Sequence, residues 1–251
     1  MPSYILPIPD YLRGHLLRYN RLYAYPHLAE PPPPDGLLVL DSGAFALSKS
    51  KKKVRMDLGY MQALDAFYEY HLSKYPNRQI VCIAPDVRQR PDRTMKNWTL
   101  WHTYCQSPVA PVLQARHPGI WDWEHLKKQM RFYQPFTPEF VCLSNSCYAA
   151  SVNVDQLKAF ASVIRNELGT IHLHKFGAGW DAADIRGWAA MQIFDSIDSI
   201  AYHTSKTRFE DGATHLDPTA RGIANAIFAN EIMGFTPPET ENLKKGNQHE
   251  N

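Results

Sequence analysis

The sequence lacks the long hydrophobic runs and paired cysteines that mark membrane proteins and disulfide-rich proteins. No apolar run in its 251 residues approaches the roughly 18 residues that a membrane-spanning helix needs. Its four cysteines show no Cys-x-x-Cys spacing, and Cys82 and Cys142 lie in apolar runs where buried free thiols are ordinary. The N-terminus also lacks the charged and apolar regions of a signal peptide. We therefore expect a reduced, cytoplasmic protein without membrane contact.

An excess of charge and the usual nucleotide-binding motif are missing as well. Lysine and arginine together number 27 against 25 aspartates and glutamates, which gives a formal net charge of +2. Any nucleic-acid contact must therefore come from a local basic patch. No Gly-x-Gly-x-x-Gly follows an early strand, which disfavours a dinucleotide-binding fold. The chain also shows no internal repeat and no linker that would separate a second domain.

What the sequence does have is a regular alternation of short apolar runs with amphipathic segments. Runs such as 37–40 and 80–84 have the form of strands buried on both faces of a parallel sheet. One early helix is predicted over about 10–28, ended by the prolines at 31–34. The pattern predicts an α/β fold, a single-domain (β/α)8 TIM barrel over residues 1–235. The polar tail, 236–251, is predicted to be disordered.

Polar residues recur where the predicted strands end. One polar residue at a strand end is routine turn chemistry, but a succession of them in a barrel would meet on the face where active sites form. We therefore predict a site at this edge of the sheet. The residues are Asp41, Asp86, Gln114, Ser144, Gly177 and Asp198.

The stretch 193–208 contains two carboxylates three positions apart in an apolar strand that opens into a basic loop. Residues three apart on a strand point to opposite faces, so only Asp195 or Asp198 should enter the site. Burying even a neutral polar group costs about 2–7 kcal/mol unless it is paired, which makes a buried Asp a candidate working group. The alternative is structural: Asp195 caps a turn, and Asp198 accepts backbone N–H bonds.

These strand ends resemble the motifs of the tRNA-guanine transglycosylases, in order over about 36–208. The resemblance is greatest to the short phage and bacterial relatives that act on DNA, the DpdA-type 7-deazaguanine DNA transglycosylases. The family's Asp-Ser-Gly-Gly-Phe motif is matched by Asp41-Ser42-Gly43-Ala44-Phe45, and its base-recognising Asp by Asp86. The other matches are Leu113-Gln114-Ala115-Arg116, Cys142-Leu143-Ser144, Phe176-Gly177-Ala178-Gly179 and Asp195-Ser196-Ile197-Asp198-Ser199-Ile200.

The resemblance implies a base exchange through a covalent sugar–enzyme intermediate. It makes Asp198 the nucleophile that attacks C1′, and Asp41 the acid/base that protonates the departing guanine. Asp86 and Gln114 would recognise the purine edge with the backbone of Leu143 and Ser144. The remaining substrate-binding candidates are Ser42 and Gly177, which lie in the matched motifs, and Phe45 and Phe176, which could sandwich the base ring or simply be core aromatics.

The same resemblance sets the expected partners. We expect DNA as the polymer, with tRNA as the alternative, and a free 7-deazaguanine base such as preQ0 as the second substrate. The zinc-binding Cys-x-Cys-x2-Cys of the tRNA enzymes has no counterpart after Asp198, so no metal or other cofactor is predicted. Partner proteins of a DNA-modification system are possible, and a phage enzyme would work in the bacterial host cytoplasm.

Two basic segments follow the proposed catalytic aspartates. Lys51, Lys52 and Lys53 come after Asp41, and Lys206 and Arg208 come after Asp198. In a barrel both loops rise on the catalytic face, where they could bind phosphates. Alternatively, they are solvated surface charges.

Two other classes of function compete with base exchange. His172 and His174 alternate on one strand face and could ligate a metal, which would suit a metal-assisted hydrolase. A two-carboxylate glycosidase is the metal-free variant of that class. The second competing class is a catalytically silent barrel that binds nucleic acid for a modification complex.

Overall fold

The computed structural model describes residues 3–7, 21–25, 36–44, 47, 56–114, 123–144, 154–169, 171–177, 182–198, 206, 208–212 and 217–233. Within these ranges the chain is mixed α/β, with eight parallel strands and six α-helices. The strands are β1 (Ser3–Pro7), β2 (Arg21–Ala24), β3 (Leu38–Asp41), β4 (Ile80–Cys82), β5 (Val112–Gln114), β6 (Phe140–Ser144), β7 (His172–Lys175) and β8 (Ser196–Asp198). The helices are α1 (Leu58–Lys74), α2 (Pro91–Tyr104), α3 (Trp123–Tyr133), α4 (Val154–Leu168), α5 (Ala182–Met191) and α6 (Pro218–Ile232), with a 3-10 turn at Gln134–Phe136.

The strands form one sheet in the order β4-β3-β2-β1-β8-β7-β6-β5. The first and last strands of the chain therefore pair in the middle, and β4 and β5 stand at the two ends of this order. Just beyond β4, Ile83 forms a parallel bridge with Ala110. Ala84 N–H donates to the Ala110 carbonyl at 2.9 Å, and Ala110 N–H donates to the Cys82 carbonyl at 2.7 Å. These bonds connect the two terminal strands of the sheet.

Strand β3 shows that the sheet is buried on both faces. Its Leu38 and Leu40 pack with apolar side chains of α1, whereas Val39 between them packs with residues of other strands. The apolar cluster around Val39 also contains Leu22 of β2, Val112 of β5, Phe140 and Cys142 of β6, and Ile83 after β4. The prediction of parallel strands buried on both faces is confirmed here.

The prediction of one helix over 10–28 is wrong at its C-terminal end. Residues 21–24 form β2, which pairs with β1 on one side and β3 on the other. Four residues are too few for the two-residue period of a strand to be distinguished from a helical pattern. The hydrogen bonds of two neighbouring strands decide the conformation of this segment. The strands predicted at 37–40 and 80–84 occur within a few residues of these places, as β3 and β4.

Helix α1 anchors the carboxyl ends of β3 and β4 through two tyrosines. The Tyr60 hydroxyl donates to the Ser42 carbonyl at 2.7 Å, and the Tyr68 hydroxyl donates to the Ile83 carbonyl at 2.7 Å. Tyr68 is completely buried, so its bond lies out of reach of water. The backbone that carries the strand-end polar residues is therefore held from the helix side.

Gly169 ends α4 with a left-handed φ of +86°, a conformation in which glycine commonly ends a helix. None of the described helices has both the length and the apolar character needed to cross a bilayer. The predicted disordered tail, 236–251, lies outside the described residues.

Replacement of Tyr68 by Phe should destabilise the protein by about 1–2 kcal/mol, because the buried Ile83 carbonyl loses its donor. The matched control is Tyr70→Phe on the same helix, where the side chain is 53% exposed. That variant should change the free energy of unfolding by less than about 0.5 kcal/mol. Urea denaturation of the three proteins measures both effects. Equal stabilities for the two variants would contradict the anchoring role of Tyr68.

Candidate active site

Three aspartates meet at the carboxyl ends of the strands. Asp41 ends β3, Asp86 follows β4, and Asp198 ends β8. Both Asp86 and Asp198 raise the pKa of Asp41 by their charges. All three carboxylates raise the pKa of the buried Cys142 thiol on β6, after burial itself. The predicted convergence of Asp41, Asp86 and Asp198 is therefore present in the structure.

Asp41 has the electrostatic setting of a proton carrier. Burial is the main cause that raises its pKa to about 7, followed by the negative charges of Asp86 and Asp198. Hydrogen bonds from the backbone of Gly43 and Ser42 oppose the shift. A carboxyl group with this pKa is present in both protonation states near neutral pH, which suits general acid and general base catalysis.

Asp86 is held by two neutral donors from neighbouring strand ends. Ser42 Oγ donates to one carboxylate oxygen at 3.0 Å, and Gln114 Nε2 donates to the other at 2.9 Å. Burial raises the pKa of Asp86 to about 6, and the two side-chain hydrogen bonds limit the rise. Because Gln114 belongs to β5, this contact also joins the two terminal strands of the sheet. Gln114 Oε1 is buried and has no hydrogen-bond partner in the described ranges, which leaves one acceptor for a ligand or a water molecule.

Asp198 and Asp195 point to different surroundings, as the strand period requires. One oxygen of Asp198, Oδ1, accepts the Gly177 N–H at 2.9 Å and lies 3.3 Å from His174 Nε2. Asp195 instead pairs with Arg165 of α4 at 2.9 Å and accepts the Leu173 N–H at 2.7 Å. Asp198 therefore faces the site, and Asp195 faces the helix layer. Asp198 also accepts a backbone N–H bond, as the structural interpretation expected, whereas Asp195, expected there to cap a turn, bonds the N–H of a neighbouring strand.

Buried polar side chains on the helices hold the strand ends in place, and sequence reasoning missed them. Gln129 of α3 accepts the Gln114 N–H and donates to the Gln114 carbonyl, both at 2.9 Å. Asn97 donates to the Pro85 carbonyl at 3.1 Å, and Thr94 Oγ1 accepts the Val87 N–H at 2.9 Å. Gln129 could have been found, because it lies on the apolar face of α3 beside the buried Leu126 and Met130.

Two glycines are required by the backbone next to the aspartates. Gly43 has a φ of +78°, and a Cβ there would lie 2.1 Å from the Tyr25 carbonyl oxygen. Gly177 has a φ of +67°, and its N–H binds Asp198. Lys175 Nζ donates to the Gly177 carbonyl at 2.8 Å. The turn that presents an N–H to Asp198 is therefore held by a buried lysine.

The other predicted base-binding residues have mixed surroundings. The Leu143 carbonyl accepts the Phe176 N–H at 3.0 Å, and the Leu143 side chain belongs to the apolar core. Ser144 ends β6 and is partly exposed. Phe176 contacts the His174 ring edge-on, with the ring centroids 5.0 Å apart. Phe45 lies outside the described residues.

The predicted phosphate-binding cations are less well supported. Lys51, Lys52 and Lys53 lie outside the described residues. Lys206 is exposed, but Arg208 forms ion pairs with Glu210 and with Asp211, the latter at 3.6 Å. These pairs offset the charge that the sequence assigned to phosphate binding.

A cavity of about 690 Å³ opens beside Asp86. This volume lies within the usual range for ligand pockets. Its described lining includes the basic side chains of Arg88, Arg93 and Lys96, none of which was predicted to bind anything. The apolar part of the lining is formed by Ala44, Leu47, Met56, Val87 and Leu100.

Comparison with known proteins does not assign this chain to a family. No protein-family model matches the chain, and no curated protein matches it significantly.

The pKa of Asp41 should be measurable directly by carboxyl ¹³C NMR. We expect titration at about pH 7 in the wild type and a lower pKa in Asp86→Asn, because one neighbouring negative charge is removed. Asp195→Asn should leave the Asp41 pKa unchanged, because the Asp195 charge faces Arg165. An Asp41 signal that titrates in the ordinary range for aspartate would refute the assignment of Asp41 as a proton carrier.

Proposed function

We propose that this protein is a DNA-guanine transglycosylase, which replaces guanine in DNA by a 7-deazaguanine base. The observation that carries the proposal is the convergence of three aspartates from β3, β4 and β8 in three different electrostatic settings. Base exchange without hydrolysis needs a nucleophile, a proton carrier and a group that recognises the base. Asp198, Asp41 and Asp86 match these needs in turn, and they agree with the roles that the family resemblance implies.

We further propose that the sheet closes into a (β/α)8 barrel. The bridge between Ile83 and Ala110 and the bond from Gln114 to Asp86 both connect strands at opposite ends of the sheet order. The cluster of strand side chains around Val39 is in keeping with a packed barrel interior. Closure would place all the strand ends on one face, where barrel enzymes carry out their chemistry.

Asp198 supplies the nucleophile in this proposal. Its Oδ1 is engaged by Gly177, whereas Oδ2 has no hydrogen bond to the described residues. Oδ2 attacks C1′ of the target nucleotide, the bond from C1′ to guanine N9 breaks, and the electron pair of that bond leaves with the base. The target base must leave the stack to reach this carboxylate.

Asp41 moves the proton in both halves of the exchange. In its protonated form it donates a proton to the departing guanine, and the resulting carboxylate accepts the N9 proton of the incoming 7-deazaguanine. N9 of that base then attacks C1′, and the bond from C1′ to Asp198 breaks. Proton and charge return to their starting positions, so the cycle needs no oxidant, reductant or other co-reactant.

Asp86 and Gln114 are the groups we assign to base recognition. Asp86 offers negative charge to ring and exocyclic N–H groups, and a purine N–H can replace one of its present donors. The unpartnered Oε1 of Gln114 is a further acceptor for such a donor. Ser144 and Phe176 remain candidates for contacts to the carbonyl and to the ring.

The polymer is assigned from charge and from what the sequence lacks. Arg93 and Lys96 lie at the start of α2 beside the cavity that Asp86 lines, where they could contact phosphates of a strand that enters the site. DNA is preferred to tRNA because the cysteine cluster of the tRNA enzymes is missing from the sequence. Parallel exchange assays on DNA and tRNA test this choice, and labelling of tRNA alone would replace DNA as the substrate.

Loss of Asp198 should abolish both base exchange and the covalent protein–DNA adduct. Asp198→Ala removes the only attacking oxygen in this mechanism, whereas Asp195→Asn keeps it and perturbs a carboxylate on the opposite face. Labelled DNA incubated with each protein and separated on a denaturing gel should show the adduct in the wild type and in Asp195→Asn. An adduct that survives in Asp198→Ala but is lost in Asp195→Asn would reverse the assignment.

Neutralising the cations beside the cavity should weaken DNA binding and reduce its salt dependence. For Arg93→Gln/Lys96→Gln we expect the slope of log Kd against log salt to decrease by about 1 for each lost phosphate contact. The control, Lys74→Gln/Arg131→Gln, removes the same charge from the last turns of α1 and α3, at the other edge of the sheet. Fluorescence anisotropy at several salt concentrations measures both slopes. Equal slopes for the two double variants would exclude Arg93 and Lys96 from the DNA-binding surface.

A further inference from the structure

One face of β7 and β8 carries a chain of polar contacts that ends at Asp198. His172 Nε2 lies 2.6 Å from Ser196 Oγ, and His174 Nδ1 lies 2.8 Å from the same oxygen. The other nitrogen of His174, Nε2, lies 3.3 Å from Asp198 Oδ1. The side chains of His174 and Ser196 are completely buried. We refer to His172, Ser196, His174 and Asp198 as the β7–β8 chain.

When Asp198 is ionised, one arrangement of the protons matches every hydrogen-bond donor of the β7–β8 chain with an acceptor. A carboxylate oxygen at 3.3 Å repels a nitrogen lone pair and attracts an N–H, so an ionised Asp198 favours the His174 tautomer with its proton on Nε2. Its Nδ1 is then an acceptor, which takes the Ser196 hydroxyl proton. The Ser196 oxygen can in turn accept from His172 Nε2–H. His174 Nε2 makes no hydrogen bond to the described residues, so its 3.3 Å approach to Asp198 Oδ1 is a close polar contact.

The surroundings of the His172 ring keep it neutral and restrict its orientation. Phe140 stacks on the His172 ring at 4.5 Å with the planes 8° apart. Burial lowers the pKa of His172 to about 4, with further contributions from His174 and Arg165, while Asp195 opposes the decrease. Among the described residues, Asp41 of β3 and Cys142 of β6 also interact electrostatically with Asp198. A neutral His172 has one N–H, which the chain uses at Nε2.

We propose that Ser196 and His174 are positioning residues for the nucleophile Asp198. The Ser196 hydroxyl selects the tautomer of His174 that directs its N–H towards Oδ1, and this polar contact, with the hydrogen bond from Gly177 N–H, holds Oδ1 away from the sugar. Oδ2 is left to attack C1′. When the sugar ester breaks, negative charge returns to the carboxylate and the same N–H stabilises it, so Asp198 is also the better leaving group. No proton is transferred along the chain. This inference rests on the proposed role of Asp198.

The resting protein provides the first test, which needs no enzymatic activity. Full-length protein with ¹⁵N-labelled histidine should show His174 as the Nε2–H tautomer at neutral pH, with Nδ1 as the acceptor. His172 should also be neutral and carry its proton on Nε2. Resonances are assigned from His172→Phe and His174→Phe. A His174 ring protonated on Nδ1 would overturn the chain, whatever the activity of the protein.

Kinetics of base exchange provide the second test. Ser196→Ala should lower kcat on the order of 10- to 100-fold with little change in KM, because the His174 N–H is no longer held towards the charged carboxylate of Asp198. The acid limb of the pH profile should move to higher pH, because the ionised carboxylate loses the N–H that faces it. Ser196→Thr keeps the hydroxyl and should restore most of the activity and the wild-type profile.

The matched control is Ser107→Ala, another buried serine, whose Oγ contacts the Asp65 carbonyl at 3.5 Å. It tests whether loss of a buried hydroxyl alone slows the enzyme, and it should leave the pH profile unchanged. If Ser196→Ala exchanges bases with the wild-type kcat and pH profile, the positioning role is wrong while the proposed function stands. If the wild type exchanges no base at all, the proposed function fails, and the positioning role of the chain fails with it even if NMR finds the Nε2–H tautomer.

Discussion

The gathering of three carboxylates at the strand ends is the constraint on which the site depends. Burial raises the pKa of Asp41 and of Asp86, and the charges of Asp86 and Asp198 raise the pKa of Asp41 further, so negative charge at these positions needs compensation. The structure compensates each one differently. Asp41 takes up a proton near pH 7, Asp86 accepts bonds from two neutral side chains, and Asp198 is contacted by a backbone N–H and a histidine ring. These unequal solutions give the three aspartates different chemistry.

The same constraint explains why polar side chains of the helices bind backbone groups at the strand ends. An unpaired backbone group near these carboxylates would cost free energy and would let the strand ends move. Tyr60, Asn97 and Gln129 each bind a carbonyl at a strand end or just beyond it. The helices therefore do more than cover the sheet. They determine where the carboxylates lie relative to one another, and the proposed base exchange, with two bond-breaking steps at one carbon, requires such fixed positions.

Charges that face the helix layer are compensated separately. Asp195 pairs with Arg165, and the buried Lys175 lies 4.4 Å from the centre of the Trp188 ring while it donates to the Gly177 carbonyl. Each of these residues is close in sequence to a residue of the site: Asp195 to Asp198, and Lys175 to His174. The alternation of a strand separates the two sets, so one face can be used for chemistry while the other provides stability.

The sequence by itself determined the α/β class, the places of most strands and the polar residues at their ends, because apolar runs and helical spacing are local patterns. It did not determine β2, whose four residues become a strand through pairing with β1 and β3. It also suggested Arg208 as a free cation, whereas Glu210 and Asp211 offset its charge. The bond from Asp86 to Gln114, the polar support from Gln129 and the β7–β8 chain were decided by the tertiary structure alone. Each joins residues that are far apart in the chain or on different elements, and their orientation and burial exist only once the sheet and its helices have packed.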